Sequence, residues 1–151
     1  MKALVASLAV VVSLFSPPAF AVLGGDAASV DADRAQMKGS GELKQASTYT
    51  LHQLTGPSGT VVREYVSPAG KVFAVAWQGP FFPDMQQLLG SYFDQYSAAV
   101  TANKEAHLGR HPLNLQLPGL VVQTNGYMRA FHFRAYIPQQ VPTGVKEEEL
   151  R

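Results

Sequence analysis

The chain contains no cysteine. That absence excludes disulfide bonds, thiolate nucleophiles, thioether attachment of haem and cysteine-ligated iron–sulfur clusters. It also excludes a lipid anchor on an N-terminal cysteine. Net charge is scarce as well: 12 Lys+Arg stand against 11 Asp+Glu. No basic surplus recommends nucleic acid or anionic lipid as a partner. The familiar catalytic signatures are missing too. There is no G-x-S-x-G elbow, no P-loop, no G-x-G-x-x-G, no H-E-x-x-H and no helix with carboxylates at i and i+4. Beyond residues 3–14, no apolar run approaches membrane-spanning length.

What is present begins with an address. Met1-Lys2 is a short basic start, Ala3 to Leu14 is almost unbroken apolar chain, and Ala19-Phe20-Ala21 is a small-x-small cleavage site. Residues 1–21 therefore read as a secretory signal peptide, and the expected location is the periplasm or the extracellular medium. Cleavage removes Lys2 and no acid, so 11 basic residues face 11 acidic ones in Val22–Arg151. A chain of that length is expected to form one domain around one core, closed by packing alone.

Residues 22–48 read as a flexible N-terminal segment with one short helix, capped by Ser29 or Asp31 and ended by Gly39-Ser40-Gly41. From Tyr49 the pattern is strand. Tyr49–Thr55, Thr60–Val66 and Lys71–Gln78 are rich in Val, Tyr, Phe and Trp, and are joined by the turns Gly56-Pro57-Ser58-Gly59 and Ser67-Pro68-Ala69-Gly70. With Val66 opposite Lys71, one face carries Val62, Glu64, Val66, Phe73, Val75 and Trp77. The other carries Val61, Arg63, Tyr65, Val72, Ala74 and Ala76. Neither face is cleanly polar, so both are expected to be partly covered.

The clearest helix follows. Met85, Leu88, Leu89, Tyr92, Phe93, Tyr96, Ala99 and Val100 recur at the helical period. Asp84 is the N-cap, and Gly90 inside the run costs about 1 kcal/mol against alanine. Leu113, Leu115 and Leu117 allow a short edge strand. Asn125-Gly126 between apolar runs predicts a two-residue hairpin, with Thr124 opposite Tyr127 and Val122 opposite Arg129. The core side would then hold Leu120, Val122, Tyr127, Phe131, Phe133 and Ile137, with Arg129 among them by parity. The expected fold is α+β: an antiparallel sheet of about five strands packed on one main helix, in the order β-β-β-α-β-β, over residues 49–138. Residues 139–151 read as a C-terminal tail with one charged helical turn at Glu147–Glu149.

Arg63, Glu64, Arg129, His132 and Arg134 interrupt the most hydrophobic strands, where a charge needs a partner. Glu64 and Arg129 make either a structural ion pair or part of a small polar pocket. Arg63, Glu64, Arg129 and Tyr127 are accordingly the candidate binding residues. His132 or His52 with Glu64 are the candidates for acid–base chemistry. His107 and His111 stand at metal-ligand spacing. Gly109 and Pro112 argue against a helix there and no third ligand is near, so neither metal nor cofactor is expected.

The chain resembles a group of small exported proteobacterial proteins, domain of unknown function 2844. The resemblance rests on Leu23-Gly24-Gly25, Val61–Gly70, Phe73–Pro80, Asp84–Gly90, Met128–Phe131 and Arg134-Ala135-Tyr136. It implies export and a bacterial source, and brings no activity, cofactor or catalytic residue. Three functions stay open: a non-enzymatic domain binding a protein or a small envelope component, a small periplasmic hydrolase using a His/Glu pair, and a structural envelope protein. Export makes its own prediction: N-terminal sequencing of the protein recovered from the producing cell's envelope or medium should begin at Val22. A protein still starting at Met1 would refute the cleavage site.

Overall fold

A computed structural model describes residues 23–28, 30, 40–81, 84–105, 112–127 and 129–151. The expected signal peptide, the short helix expected before Gly39 and the His107/His111 pair lie outside them. Seven strands form one antiparallel sheet: β1 (Ser40–Gln45), β2 (Thr50–Thr55), β3 (Val61–Val66), β4 (Val72–Gly79), β5 (Leu113–Leu117), β6 (Leu120–Tyr127) and β7 (Ala130–Tyr136). Their spatial order is β1-β2-β3-β4-β7-β6-β5. The expectation of about five strands in the order β-β-β-α-β-β is therefore corrected. β1 escaped notice because all six of its residues are exposed, so no core pattern marks it. β5 is the short strand its three leucines allow.

Asp84 starts the helical segment as expected, its Oδ1 accepting the N–H groups of Gln86 at 2.9 Å and Gln87 at 3.1 Å. The segment is not one continuous helix. Helix α1 (Met85–Leu89) stops at Gly90, whose φ is +51°; a 3₁₀ turn (Gly90–Tyr92) follows, and then α2 (Phe93–Glu105). Gly90 is thus a breakpoint, and the left-handed backbone explains why glycine is there. The apolar stripe survives the break. Leu88 and Leu89 are buried, and Met85, Tyr92, Phe93, Tyr96, Ala99 and Val100 pack against the same core. Tyr96 meets Phe133 of β7 edge-on at 6.4 Å.

Under the helices lie Leu54, Val62, Val66, Val72, Val75, Trp77, Leu115, Leu120, Val122, Phe133, Ala135 and Ile137. Glu64 belongs to the same face by strand alternation and is fully buried. In place of the expected Val66–Lys71 pairing, the strands slide by two residues: Val62 faces Trp77 and Glu64 faces Val75, with a bulge between Tyr65 and Val66. An even slide keeps every side chain on its face. The bulge then exchanges Phe73 and Val72, so Phe73 joins the second face.

The N-terminal residues are anchored. Leu23 and Val30 are buried, Gly24 N–H donates to Val72 O at 2.8 Å and Lys71 pairs with Asp26 at 2.6 Å. Residues 137–151 cross the second face. Leu150, Val141 and Val145 pack there with Tyr65, Phe73, Ala74 and Tyr136, and Glu147–Glu149 form a 3₁₀ turn.

The last hairpin is a second correction. Tyr127 pairs with Ala130, so the chain reverses between these two residues and Asn125-Gly126 lies inside β6. Gly126 is needed for proximity: a Cβ there would stand 2.5 Å from Ala130 O and 2.6 Å from Phe131 Cα. Arg129 occupies the turn at φ +68°, exposed, where glycine or asparagine is the usual choice. These two backbones predict opposite effects. Gly90→Ala should cost about 1–2 kcal/mol, and Arg129→Gly should add about 1 kcal/mol. Urea unfolding of both variants checks this; midpoints moving together in one direction would contradict it.

Candidate functional site

The register carries one polar row straight across the second face. Gln53, Arg63, Ala76, Arg134, Gln123 and Asn114 are successive cross-strand neighbours on β2, β3, β4, β7, β6 and β5. Each arginine is held by an amide on its outer side. Arg63 Nε donates to Gln53 Oε1 at 3.1 Å, and Arg134 Nε donates to Gln123 Oε1 at 2.6 Å. Gln123 Nε2 in turn reaches Asn114 Oδ1 at 3.5 Å. The two guanidiniums are thereby drawn apart, to either side of Ala76. Neither has an ion-pair partner among the described residues.

One row further on stand Gln78, His132 and Asn125, again in register and exposed. Both rows, Gln53 and Ala76 apart, contribute to the lining of a groove of about 770 Å³ that runs over the strands from Arg63 to Pro112. Its long wall is the end of the chain, through Glu148, Leu150 and Arg151. Among side chains the lining carries three guanidiniums, of Arg63, Arg134 and Arg151, and one carboxylate, of Glu148.

That wall is fastened to the sheet. The Tyr65 hydroxyl accepts Arg151 N–H at 2.9 Å and shares its proton between the carbonyls of Arg151 at 3.0 Å and Glu149 at 3.2 Å. Arg134 Nη1 donates to the Glu147 carbonyl. Burial pushes the Tyr65 phenol above its ordinary value. Burial, followed by the hydrogen bond to Glu147 and its charge, pushes Tyr136 up to about 12.

The expected site residues separate. Arg63 lies in the groove. Glu64 points to the helix face, where it stands opposite His52 on β2. His132 is on the other face, so a His132–Glu64 couple does not form. Tyr127 closes the β6–β7 hairpin opposite Ala130 and Arg129 lies in its turn, and no ion pair joins Glu64 to Arg129 among the described residues. Gln53, Gln78, Gln123 and Asn125 escaped the sequence reading. Alternation puts each on a polar position, but only the register reveals that they share two rows. No group of three His, Asp or Glu residues suited to a metal occurs among the described residues. No helix among them is long and apolar enough to cross a membrane.

Over residues 19–150 the chain matches the family described as protein of unknown function, DUF2844, and it belongs to that family. Comparisons with curated proteins and with solved structures return no match. The raised phenols give a pH prediction. Unfolded tyrosine ionises near 10, whereas folded Tyr136 holds its proton to about 12, so stability should fall as pH rises between those values. Tyr136→Phe should flatten that fall in urea titrations at alkaline pH. An identical slope in the variant would refute the assignment.

Proposed function

We propose that this member of the DUF2844 family is an exported, non-enzymatic binding domain whose ligand seat is the polar groove on the second face of the sheet. One observation carries the reading. The helical segment covers one sheet face and residues 137–151 cover part of the other; what they leave open is a groove in which Arg63, Gln78, Gln123, Asn125, His132 and Arg134 converge beside an apolar lining that includes Leu113 and Leu150. A pocket with convergent polar groups is the ordinary form of a small-molecule site. The seat fits a small envelope component better than a protein strand. The edge strand β1 carries the Glu42–Lys44 ion pair at 3.4 Å, and charged side chains on an edge oppose strand addition.

The hydrolase alternative has less support. His52 does face Glu64 across β2 and β3, but Glu64 has no exposed surface. His132, the histidine that a groove ligand would meet, has no carboxylate opposite it.

Native mass spectrometry of protein purified from the envelope tests the reading. The wild type should carry a small molecule that a groove-filling His132→Trp variant, folded to the same thermal midpoint, has lost. Retention of the same molecule by the variant would place the seat elsewhere. Hydrolysis of ester, peptide or glycan substrates that His52→Ala or His132→Ala abolishes would overturn the non-enzymatic reading.

A further inference from the structure

We infer that the groove takes a linear anion whose acidic groups are separated by hydroxyl-bearing units, the chemistry of an acidic oligosaccharide. The inference rests on the groove being the ligand seat and adds what the ligand must be. Its first support is shape. Lining residues come from β3, β4, β7, β6 and β5 in turn, so the groove crosses four inter-strand spacings, roughly 19 Å. A compact ligand would leave most of that length empty.

The second support is charge. Arg63 and Arg134 are two spacings apart, roughly 10 Å, and the outward pull of Gln53 and Gln123 keeps them from converging on one anion. With each Nε engaged and Arg134 Nη1 on the Glu147 carbonyl, the donors left for an acidic group are both terminal nitrogens of Arg63, a fork that suits carboxylate or sulfate, and Nη2 of Arg134. Two separated guanidinium sites call for two separated anionic groups. Glu148 on the wall disfavours a ligand of uniform high charge density and leaves the positive sites discrete.

The third support is the remainder of the lining. Gln78, Gln123, Asn125, Asn114 and His132 offer donors and acceptors together, which matches hydroxyl groups that also do both. Trp77 and Phe133 belong to the helix-side core, and the remaining apolar lining, Pro112, Leu113 and Leu150, can meet the apolar C–H face of a sugar ring beside these polar groups.

Titration of the isotope-labelled protein followed by NMR, together with calorimetry, decides the matter. The probes are an oligogalacturonate, a sulfated heparin oligosaccharide, a neutral malto-oligosaccharide and oligoglutamate, each of similar length. One or both acidic sugars should shift the Gln78, Gln123, Asn125 and His132 signals, and whichever binds tighter tells carboxylate from sulfate. Arg63→Gln should weaken that binding about tenfold or more at an unchanged thermal midpoint. Arg134→Lys, which keeps the charge but loses the planar guanidinium that Gln123 and the Glu147 carbonyl hold in place, should weaken it as well. Equal binding of oligoglutamate would overturn the hydroxyl requirement. Equal binding of the neutral sugar at the same signals would overturn the anion requirement while leaving the groove as the seat. No shift at the groove with any probe would overturn the seat itself.

Discussion

A central strand with apolar residues on both sides must be covered twice. β4 is the extreme case: Val72–Trp77 are buried without a break. A single helical layer satisfies one side only. The remaining side needs a second cover, and the chain supplies it from its own end, with Leu150 as the plug and Tyr65 as the fastening. Burial of each Leu- or Phe-sized group contributes about 1.5–3 kcal/mol, while the Tyr65 hydrogen bonds contribute about 1 kcal/mol each. Apolar contact therefore holds the cover down, and the hydroxyl sets where it lies. The aromatic trio Tyr49, Tyr65 and Phe73, with ring centres 5.5–6.2 Å apart, makes the floor that Leu150 needs.

The cover is shorter than the face it closes. It lies over the apolar rows through Tyr65, Ala74 and Tyr136 and ends at the row of Arg63 and Arg134. The groove begins where the apolar pattern of β3, β4 and β7 gives way to polar residues. Its position thus follows from the same alternation that builds the core: one further step of two along β4 takes Ala76 to Gln78, and the equivalent step on β7 takes Arg134 to His132.

Alternation was legible from the sequence; register was not. Val62, Glu64, Val75 and Trp77 on one side and Arg63, Tyr65, Ala74 and Ala76 on the other are assigned correctly from spacing alone. Leu120, Val122, Phe131, Phe133 and Ile137 also keep their side, although the chain reverses between Tyr127 and Ala130 rather than at Asn125-Gly126. Both errors are even slides, two residues between β3 and β4 and six between β6 and β7, and even slides are invisible to a pattern of period two. The turn was misplaced because Asn-Gly marks either a reversal or a tight backbone approach, and here Gly126 serves the approach. Arg129, in a conformation that few side chains accept, gave no signal of being the turn. The edge strand β1 was missed for lack of burial, and the covering role of 137–151 because Val141, Val145 and Leu150 are too sparse to show a period. The helix stripe was readable throughout, since packing keeps its spacing even across the break at Gly90.

The arginine row is where these errors mattered, because a site defined by cross-strand neighbours is hidden until the register is known. Once it is known, energetics narrow its purpose. Two like charges roughly 10 Å apart repel by only about 0.4 kcal/mol at the dielectric of water and about 1.7 kcal/mol at a partly buried value, less still after screening by salt. One Arg–Gln hydrogen bond, at about 1.5–3 kcal/mol for a charged donor, offsets that cost. The row is therefore stable as it stands, without a carboxylate between the guanidiniums. A purely structural pair of arginines would gain more from an acid at Ala76, the position between them. Alanine there, with a glutamine on each outer side, holds the charges in place while leaving both terminal nitrogens of Arg63 and Nη2 of Arg134 without a hydrogen-bond partner among the described residues, the arrangement expected of arginines that serve something outside the chain.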